Sequence, residues 1–274
     1  MAEAIAITGR TQLVGVMGDP IGHSKSPTLL NAAFAASGLD FRMVALPVPE
    51  GRGADAVAAL GVLGFHGCSV TMPHKNAVIA RLDSVSDSAK RLDAVNCIRR
   101  DGTTLIGENT DGEGFIRGLA EDTGFDPAGA RCVVVGAGGA ARAVILALAN
   151  AGATRIDVIN RTRSFAEAAV ALAGATGHIG EPGDVAQADL VVQATSVGMS
   201  ETDPSAIDPT HLGEGQIVAD LIYHPSVTPT MRAGTQAGAT VSNGLSMLLH
   251  QAAVAFEHWT GVTAPIEAMR SALS

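Results

Sequence analysis

The chain has 274 residues and a formal net charge of −9, room for one large domain or two modest ones. The acidic balance, without any basic block, argues against nucleic acid or an anionic membrane as a partner, and no apolar run approaches the roughly 20 residues of a membrane span. Three scattered cysteines, Cys68, Cys97 and Cys132, lack C-x-x-C spacing. They speak against a disulfide framework or a metal site and fit a reducing cytoplasm, and no signal-peptide pattern opens the chain. Few aromatics and much alanine suit a helix-rich α/β protein.

Thr11 to Met17 reads as a strand. It ends in Gly18-Asp19-Pro20-Ile21-Gly22-His23-Ser24-Lys25-Ser26-Pro27, whose prolines and glycines mark a fixed loop. A helix is expected over Thr28 to Ala36. Ser26, just before Pro27, is either its N-cap or, with Ser24 and Lys25, part of a nest for a hydroxyl or carboxylate. A second strand (Phe41 to Pro47), a helix (Ala54 to Leu63) and a third strand (Cys68 to Val70) follow. Pro73 is expected to start a helix with Lys75 in its first turn. A cation is disfavoured at that end of a helix, which suits a lysine that exchanges its proton; the alternative is an exposed helix lysine. Basic residues are overwhelmingly arginine, and the lysines are only Lys25, Lys75 and Lys90. Lysine can trade a proton where arginine cannot. Lys90 lies in a polar helical stretch and reads as solvated. His66 and His74 fit no common metal spacing. Ala94 to Ile98 reads as a strand in which Asn96 either satisfies a neighbouring backbone or bonds a polyol. A hairpin turn and a return strand, Thr104 to Gly107, complete a mostly parallel sheet with one antiparallel edge.

Asp111 opens a helical stretch, Glu113 to Asp122. It is either a cap or a carboxylate that faces Lys75 across a cleft. Next comes the clearest motif of the chain, Arg131 to Arg142 (RCVVVGAGGAAR). A β-branched strand runs into Gly136-Ala137-Gly138-Gly139-Ala140-Ala141 and then an alanine-rich helix, the strand–turn–helix context that a dinucleotide fingerprint requires. The next strand, Arg155 to Ile159, ends in Asn160-Arg161-Thr162-Arg163. An NAD site expects an acid there, whereas two arginines favour the 2′-phosphate of NADP. Strands at Asp189 to Gln193, Gln216 to Asp220 and Thr240 to Ser242, with helices at Ser164 to Ala173 and Thr228 to Gly234, complete a doubly wound sheet. Leu245 to Trp259 carries one apolar stripe at helical period beside Gln251, and a last helix spans Pro265 to Leu273.

Taken together, these stretches resemble the shikimate dehydrogenase family. Nine pieces match in family order: GDPIGHSKSP (18–27), SVTMPHK (69–75), AVNC (94–97), GENTDG (107–112), VGAGGAA (135–141), NRT (160–162), ATSVGM (194–199), DLIYHP (220–225) and GLSMLLHQ (244–251). The resemblance implies an oxidoreductase of the cytoplasm, a monomer or homodimer, that reversibly reduces 3-dehydroshikimate to shikimate with NADP(H), in chorismate and aromatic amino-acid biosynthesis. It implies an α/β fold: an N-terminal substrate domain over 1–110 with a mostly parallel sheet, completed by helices of 245–274, and a Rossmann-type NADP domain over 111–244. By the same similarity Lys75 and Asp111 are the catalytic pair. Ser24 and Ser26 hold the substrate carboxylate, and Thr71, Asn96, Tyr223 and Gln251 contact its ring or hydroxyls. Gly136, Ala137, Gly138, Gly139, Ala140 and Ala141, with Asn160, Arg161, Thr162 and Arg163, bind the cofactor; Thr195, Met199 and Gly244 lie near its nicotinamide end. Two residues depart from the family pattern. Phe165 stands where the NADP form usually has a second basic residue, and Cys97 replaces a common threonine. Quinate and aminoshikimate dehydrogenases share most of these residues, and a non-catalytic NADP-binding sensor is the reading from another class.

Overall fold

The computed structural model describes residues 7–200 and 202–273. They fold as two compact units: residues up to Thr110 with those from Gln251 onward, and Asp111–His250.

The first unit contains β1 (Gln12–Gly18), α1 (Ser26–Ala36), β2 (Phe41–Pro47), α2 (Gly53–Leu63), β3 (Gly67–Val70), β4 (Ser84–Val85), α3 (Asp87–Leu92), β5 (Cys97–Asp101) and β6 (Thr104–Glu108). Among the described residues its sheet has six strands in the order β2-β1-β3-β5-β6-β4. Pairings are parallel except at β3–β5 and β5–β6. The sheet is thus mostly parallel as expected, but the antiparallel strand is interior rather than at the edge. β4 takes that edge by pairing Ser84 with Ile106 and Val85 with Gly107, a two-residue strand too short to show periodicity.

Burial explains the helices. Leu29, Leu30, Ala33 and Phe34 of α1 lie on one buried face. Phe34 packs against Phe256 with ring centroids 5.3 Å apart. Trp259 donates its indole N–H to the Ile98 carbonyl at 2.9 Å, and a Cβ on Gly67 would collide with that indole, so glycine admits the tryptophan there.

The second unit begins with α4 (Asp111–Thr123), followed by β7 (Arg131–Val135), α5 (Gly139–Asn150), β8 (Arg155–Ile159), α6 (Arg163–Ala173), β9 (Gly177–Ile179), β10 (Leu190–Gln193), β11 (Ile217–Asp220), α7 (Pro229–Gln236) and β12 (Thr240–Asn243). Its sheet runs β12-β11-β10-β7-β8-β9, every pairing parallel. The central strands are buried apolar runs such as Cys132–Val134 and Leu190–Val192, as a sheet covered on both faces demands. The order reverses between β7 and β10. Their carboxyl ends flank the switch point where open α/β sheets bind ligands. The last helices are α8 (Gly244–Thr260) and α9 (Ile266–Ser271).

Two expected elements differ. Pro73 does not start a helix: the chain turns at Thr71–His74, with a cis Met72–Pro73 bond, and only a short 3-10 turn forms at Ile79–Arg81. Tertiary bonding overrides the proline signal. His74 is buried, and its Nε2 lies 2.7 Å from the Val48 carbonyl. Nor do Ala94 to Asn96 belong to the strand, which starts at Cys97. Their backbone bonds leave the strand pattern, Val95 N–H going to the carbonyl of Lys75 in a turn and Asn96 N–H to that of Glu108 at the end of β6.

Candidate active site

In the first unit, β1 and β3 end where β5 begins, so their loops meet along one edge of the sheet. Backbone bonds fix that meeting. Thr71 N–H donates to Met17 O (3.0 Å), Asp19 N–H to Met72 O (3.1 Å), Val70 N–H to Asn96 O (2.7 Å) and Val95 N–H to Lys75 O (2.8 Å). Thr71, Lys75 and Asn96, separated by up to 25 positions in the chain, are thereby brought to one place. Gly18 closes the same edge: a Cβ there would stand 2.5 Å from Thr71 Cγ2.

Asn96 is buried, and both halves of its amide are used. Its Nδ2 donates to Thr110 Oγ1 (3.0 Å), and its Oδ1 accepts Thr110 N–H (2.8 Å). Leaving a buried polar group unpaired costs about 1–3 kcal/mol, so this amide holds its orientation. Ser24 and Ser26 follow β1. Ser26 is the first residue of α1 and not its cap: Lys25 occupies the cap position and provides no side-chain bond. The N–H of Ser26 donates to Ser24 Oγ at 3.3 Å. Both serines are half-buried at the start of α1. Lys75 is half-buried, in a turn and not at a helix start. The dipole argument for its reactivity therefore lapses, while its place beside Thr71 and Asn96 stands. Gln251, half-buried, lies on α8 eight residues before Trp259, about 12 Å along a helix.

Glu108, the last residue of β6, was not singled out from sequence. Its carboxylate lies 3.0 Å from His258 Nδ1 and accepts Arg99 Nε–H at 2.7 Å. The His258 bond first, then Arg99, outweighs burial and brings its pKa down to about 2.

In the second unit the glycine turn sits between β7 and α5 as the motif requires. Gly136 has φ 121°, and a Cβ on it would meet the Ala194 carbonyl at 2.8 Å. Only glycine fits. Around Gly138 and Gly139 a Cβ would meet nothing within 4 Å, so the backbone at the start of α5 is open to a ligand. Ala137 is half-buried, Ala140 exposed and Ala141 fully buried, the third motif position packing the helix on the sheet. Past β8, Asn160 Nδ2 donates to Thr162 O (2.9 Å) and shapes the turn that presents exposed Arg161. Arg163 is already in α6 and pairs with Glu167 at 3.0 Å, both well exposed. Such a pair contributes about 0.3–0.5 kcal/mol, whereas bonds to a phosphate are worth about 1.5–3 kcal/mol. A 2′-phosphate would therefore win the guanidinium. Phe165 is 64 % exposed and adds no charge there. These residues fit a phosphorylated dinucleotide.

Thr195 and Met199 lie on the turn after β10, and Tyr223, exposed, on the loop after β11. Gly244 begins α8; its N–H donates to Ile222 O (3.1 Å), and a Cβ would clash with the Leu221 carbonyl. Asp111 is buried as the first residue of α4. The sequence reading passed over a polar set between these loops. Gln193, Asp220 and Thr228 are all buried and bonded to one another. A glutamine closing VVQ and an aspartate closing VAD, each at the end of an apolar strand, were the available signal. All three cysteines are buried and unpaired, and burial lifts the thiols of Cys68 and Cys132 to about 12.

A two-unit α/β chain with one such edge and one dinucleotide-type turn defines a nicotinamide-dependent dehydrogenase fold. Family models match in the same layout: a shikimate dehydrogenase substrate binding domain at residues 16–98, an NAD(P)-binding domain at 124–201 and a shikimate 5′-dehydrogenase C-terminal domain at 244–273. A shikimate dehydrogenase (NADP(+)) of Moorella thermoacetica is 45% identical, over 97% of this chain and 93% of its own. The structure of a shikimate 5-dehydrogenase from Listeria monocytogenes in complex with shikimate and NAD superposes with a TM-score of 0.93 at 32% identity, covering 99% of both chains. That of the Thermus thermophilus enzyme in complex with NADP(H) and shikimate gives 0.88 at 33%, covering 95% and 98%. The chain belongs to the shikimate dehydrogenase family.

Proposed function

We propose that the chain is an NADP-dependent shikimate dehydrogenase that reversibly reduces 3-dehydroshikimate to shikimate, with the first unit holding the ring and the second the cofactor. The observation that carries this reading is the convergence of Thr71, Lys75 and Asn96 on one sheet edge, each matching a motif of the family. Ser24 and Ser26 receive the substrate carboxylate through their hydroxyls. Thr71 and Asn96, with Gln251 and Tyr223, bond the ring hydroxyls. The glycine turn receives the pyrophosphate on Gly136 to Ala141, Asn160 to Arg163 hold the 2′-phosphate end, and Thr195, Met199 and Gly244 border the nicotinamide. When bound, the cofactor supplies or accepts the hydride at the carbon bearing the reacting oxygen.

Lys75 Nζ carries the proton to or from that oxygen, and the Asp111 carboxylate orients the ammonium. The remaining contacts align the reactants and exclude water. Buried thiols that form no disulfide support action in the reducing cytoplasm. The test is NADPH absorbance with shikimate, quinate and aminoshikimate in parallel, repeated with NAD. Shikimate with NADP should give the highest kcat/KM. A higher value with quinate would reassign the ring, and no turnover with any of the three would overturn the reading.

A further inference from the structure

Two loops of the second unit, one after β10 and one after β11, are joined beneath their surface by a buried polar chain. Gln193 is 0% exposed, and every atom of its amide is engaged. Its Oε1 accepts the N–H of Thr195 at 2.6 Å. Its Nε2 donates to the Val197 carbonyl at 2.9 Å, with longer bonds to the Thr195 carbonyl (3.3 Å) and to Asp220 Oδ1 (3.4 Å). The same Asp220 oxygen accepts the N–H of Ile222 at 3.0 Å, and its second oxygen accepts the Thr228 hydroxyl at 2.6 Å. One amide thus fixes the Thr195–Val197 turn, and one carboxylate ties that turn to the residue next to Tyr223.

The held turn is part of the dinucleotide cradle by contact. The Ala194 carbonyl and Thr195 Cγ2 are the atoms a side chain on Gly136 would strike, at 2.8 and 3.3 Å. A shift of the turn by a few tenths of an ångström would alter the floor of the glycine loop. The interior needs no glutamine for packing, since Leu190, Val191 and Val192 fill the same strand with apolar side chains. A buried amide that bonds mostly to irregular backbone sets loop conformation.

The geometry points to Gln193 as a positioning residue of the cofactor site, which through Asp220 couples the turn under the nicotinamide end to the Tyr223 loop. The nicotinamide assignment of that turn rests on the proposed function; the coupling does not. The experiment uses the full chain as Gln193→Leu, Gln193→Glu and Gln193→Glu combined with Asp220→Asn. Amide hydrogen exchange without cofactor is the first readout. In Gln193→Leu, Thr195, Val197 and Ile222 should exchange roughly tenfold faster together, while β7 amides stay protected; in Gln193→Glu, used where leucine prevents folding, the carboxylate still accepts the Thr195 N–H and the faster exchange should appear at Val197 and Ile222. Wild-type exchange at Ile222 would overturn the coupling.

Binding is the second readout. The variant's Kd should rise about tenfold for NADPH, followed by its fluorescence, and clearly less for 2′-phosphoadenosine 5′-diphosphoribose, which keeps the pyrophosphate on the glycine loop but lacks the nicotinamide. Equal losses for both ligands, in step with a lowered Tm, would mean a merely structural residue and overturn the positioning role. Glutamate at 193 faces Asp220 with a second carboxylate, and Asp220→Asn should restore part of the NADPH affinity, the lost bond to the Val197 carbonyl accounting for the rest. No recovery would overturn the link. A wild-type chain that binds NADPH yet turns over no ring substrate would overturn the proposed reaction and leave this inference standing.

Discussion

Glu108 and Asp220 end strands in the two sheets, and each is bonded on both oxygens, yet they are shifted in opposite directions. Glu108 faces His258 and Arg99, which bring it down to about 2. Asp220 faces a threonine hydroxyl, a backbone N–H and a glutamine amide, and burial, the largest influence, raises it. Neutral dipoles soften desolvation without cancelling it, whereas a cationic partner reverses its sign. At the first edge, loops held by backbone bonds carry charged pairs such as Glu108 with Arg99 and His258. At the second, neutral dipoles surround one buried carboxylate beside a bare glycine turn. That division suits a proton-transferring, ring-binding face on one unit and a dinucleotide cradle on the other.

The largest expected effect strikes the first edge. Lys75→Ala should lower kcat by about 100- to 10,000-fold with little change in KM for shikimate, measured by steady-state NADPH kinetics. Near-normal turnover would remove the proton-transfer role and with it the contrast between the edges. On the second edge the expected damage is to backbone. Gly136→Val places a β-branched residue at φ 121° against the Ala194 carbonyl, a strain of about 1–3 kcal/mol before the clash. NADPH affinity should fall at least about tenfold, and the melting temperature with it, whereas Lys75→Ala should change neither. A smaller effect separates the arginines. Arg161→Ala should raise KM for NADP by about tenfold and Arg163→Ala by less, since Glu167 already engages Arg163; KM for NAD should stay level in both. An equal rise for NAD would show that these arginines do not read the 2′-phosphate.

The comparison also shows what the sequence made legible. The second unit could be read almost strand by strand, because fully buried parallel strands leave unbroken apolar runs and the glycine turn has one geometry. β8 spans Arg155–Ile159 as expected, and α6 begins one residue before its expected start at Ser164. β9 escaped because it is three residues long and contains a glycine. The first edge was legible as chemistry and not as backbone. Lys75 and Asn96 were picked out by residue type, but the turn at Pro73 and the irregular entry to β5 depend on bonds to Val48, Lys75 and Glu108 that no local window contains. Gln193 and Asp220 were visible only as polar ends of apolar strands, and their partnership is tertiary.

Glu108 gives the comparison its pH signature. Its folded pKa of about 2 lies below the unfolded value of 4.5, so its contribution to stability is fully present above pH 4.5 and is lost as the pH falls toward 2. Its side chain is 18% exposed, so solvent screens the pair only in part. The displacement corresponds to something on the order of 2–3 kcal/mol. Glu108→Gln keeps the shape and removes the charge. Its melting temperature should lie several degrees below wild type at pH 6, with the gap closing as the pH approaches 2, read by circular-dichroism melts across that window. Asp220 has the opposite sign. Its folded pKa is raised, so any stability it contributes is present at low pH and declines as the pH rises through that value. Asp220→Asn should therefore differ from wild type least at low pH in charge cost, leaving only its exchanged hydrogen bonds to be seen there. A gap for Glu108→Gln that stays constant from pH 6 to pH 2 would mean that His258 and Arg99 do not hold the carboxylate charged, and the opposition between the two edges would lose its electrostatic basis.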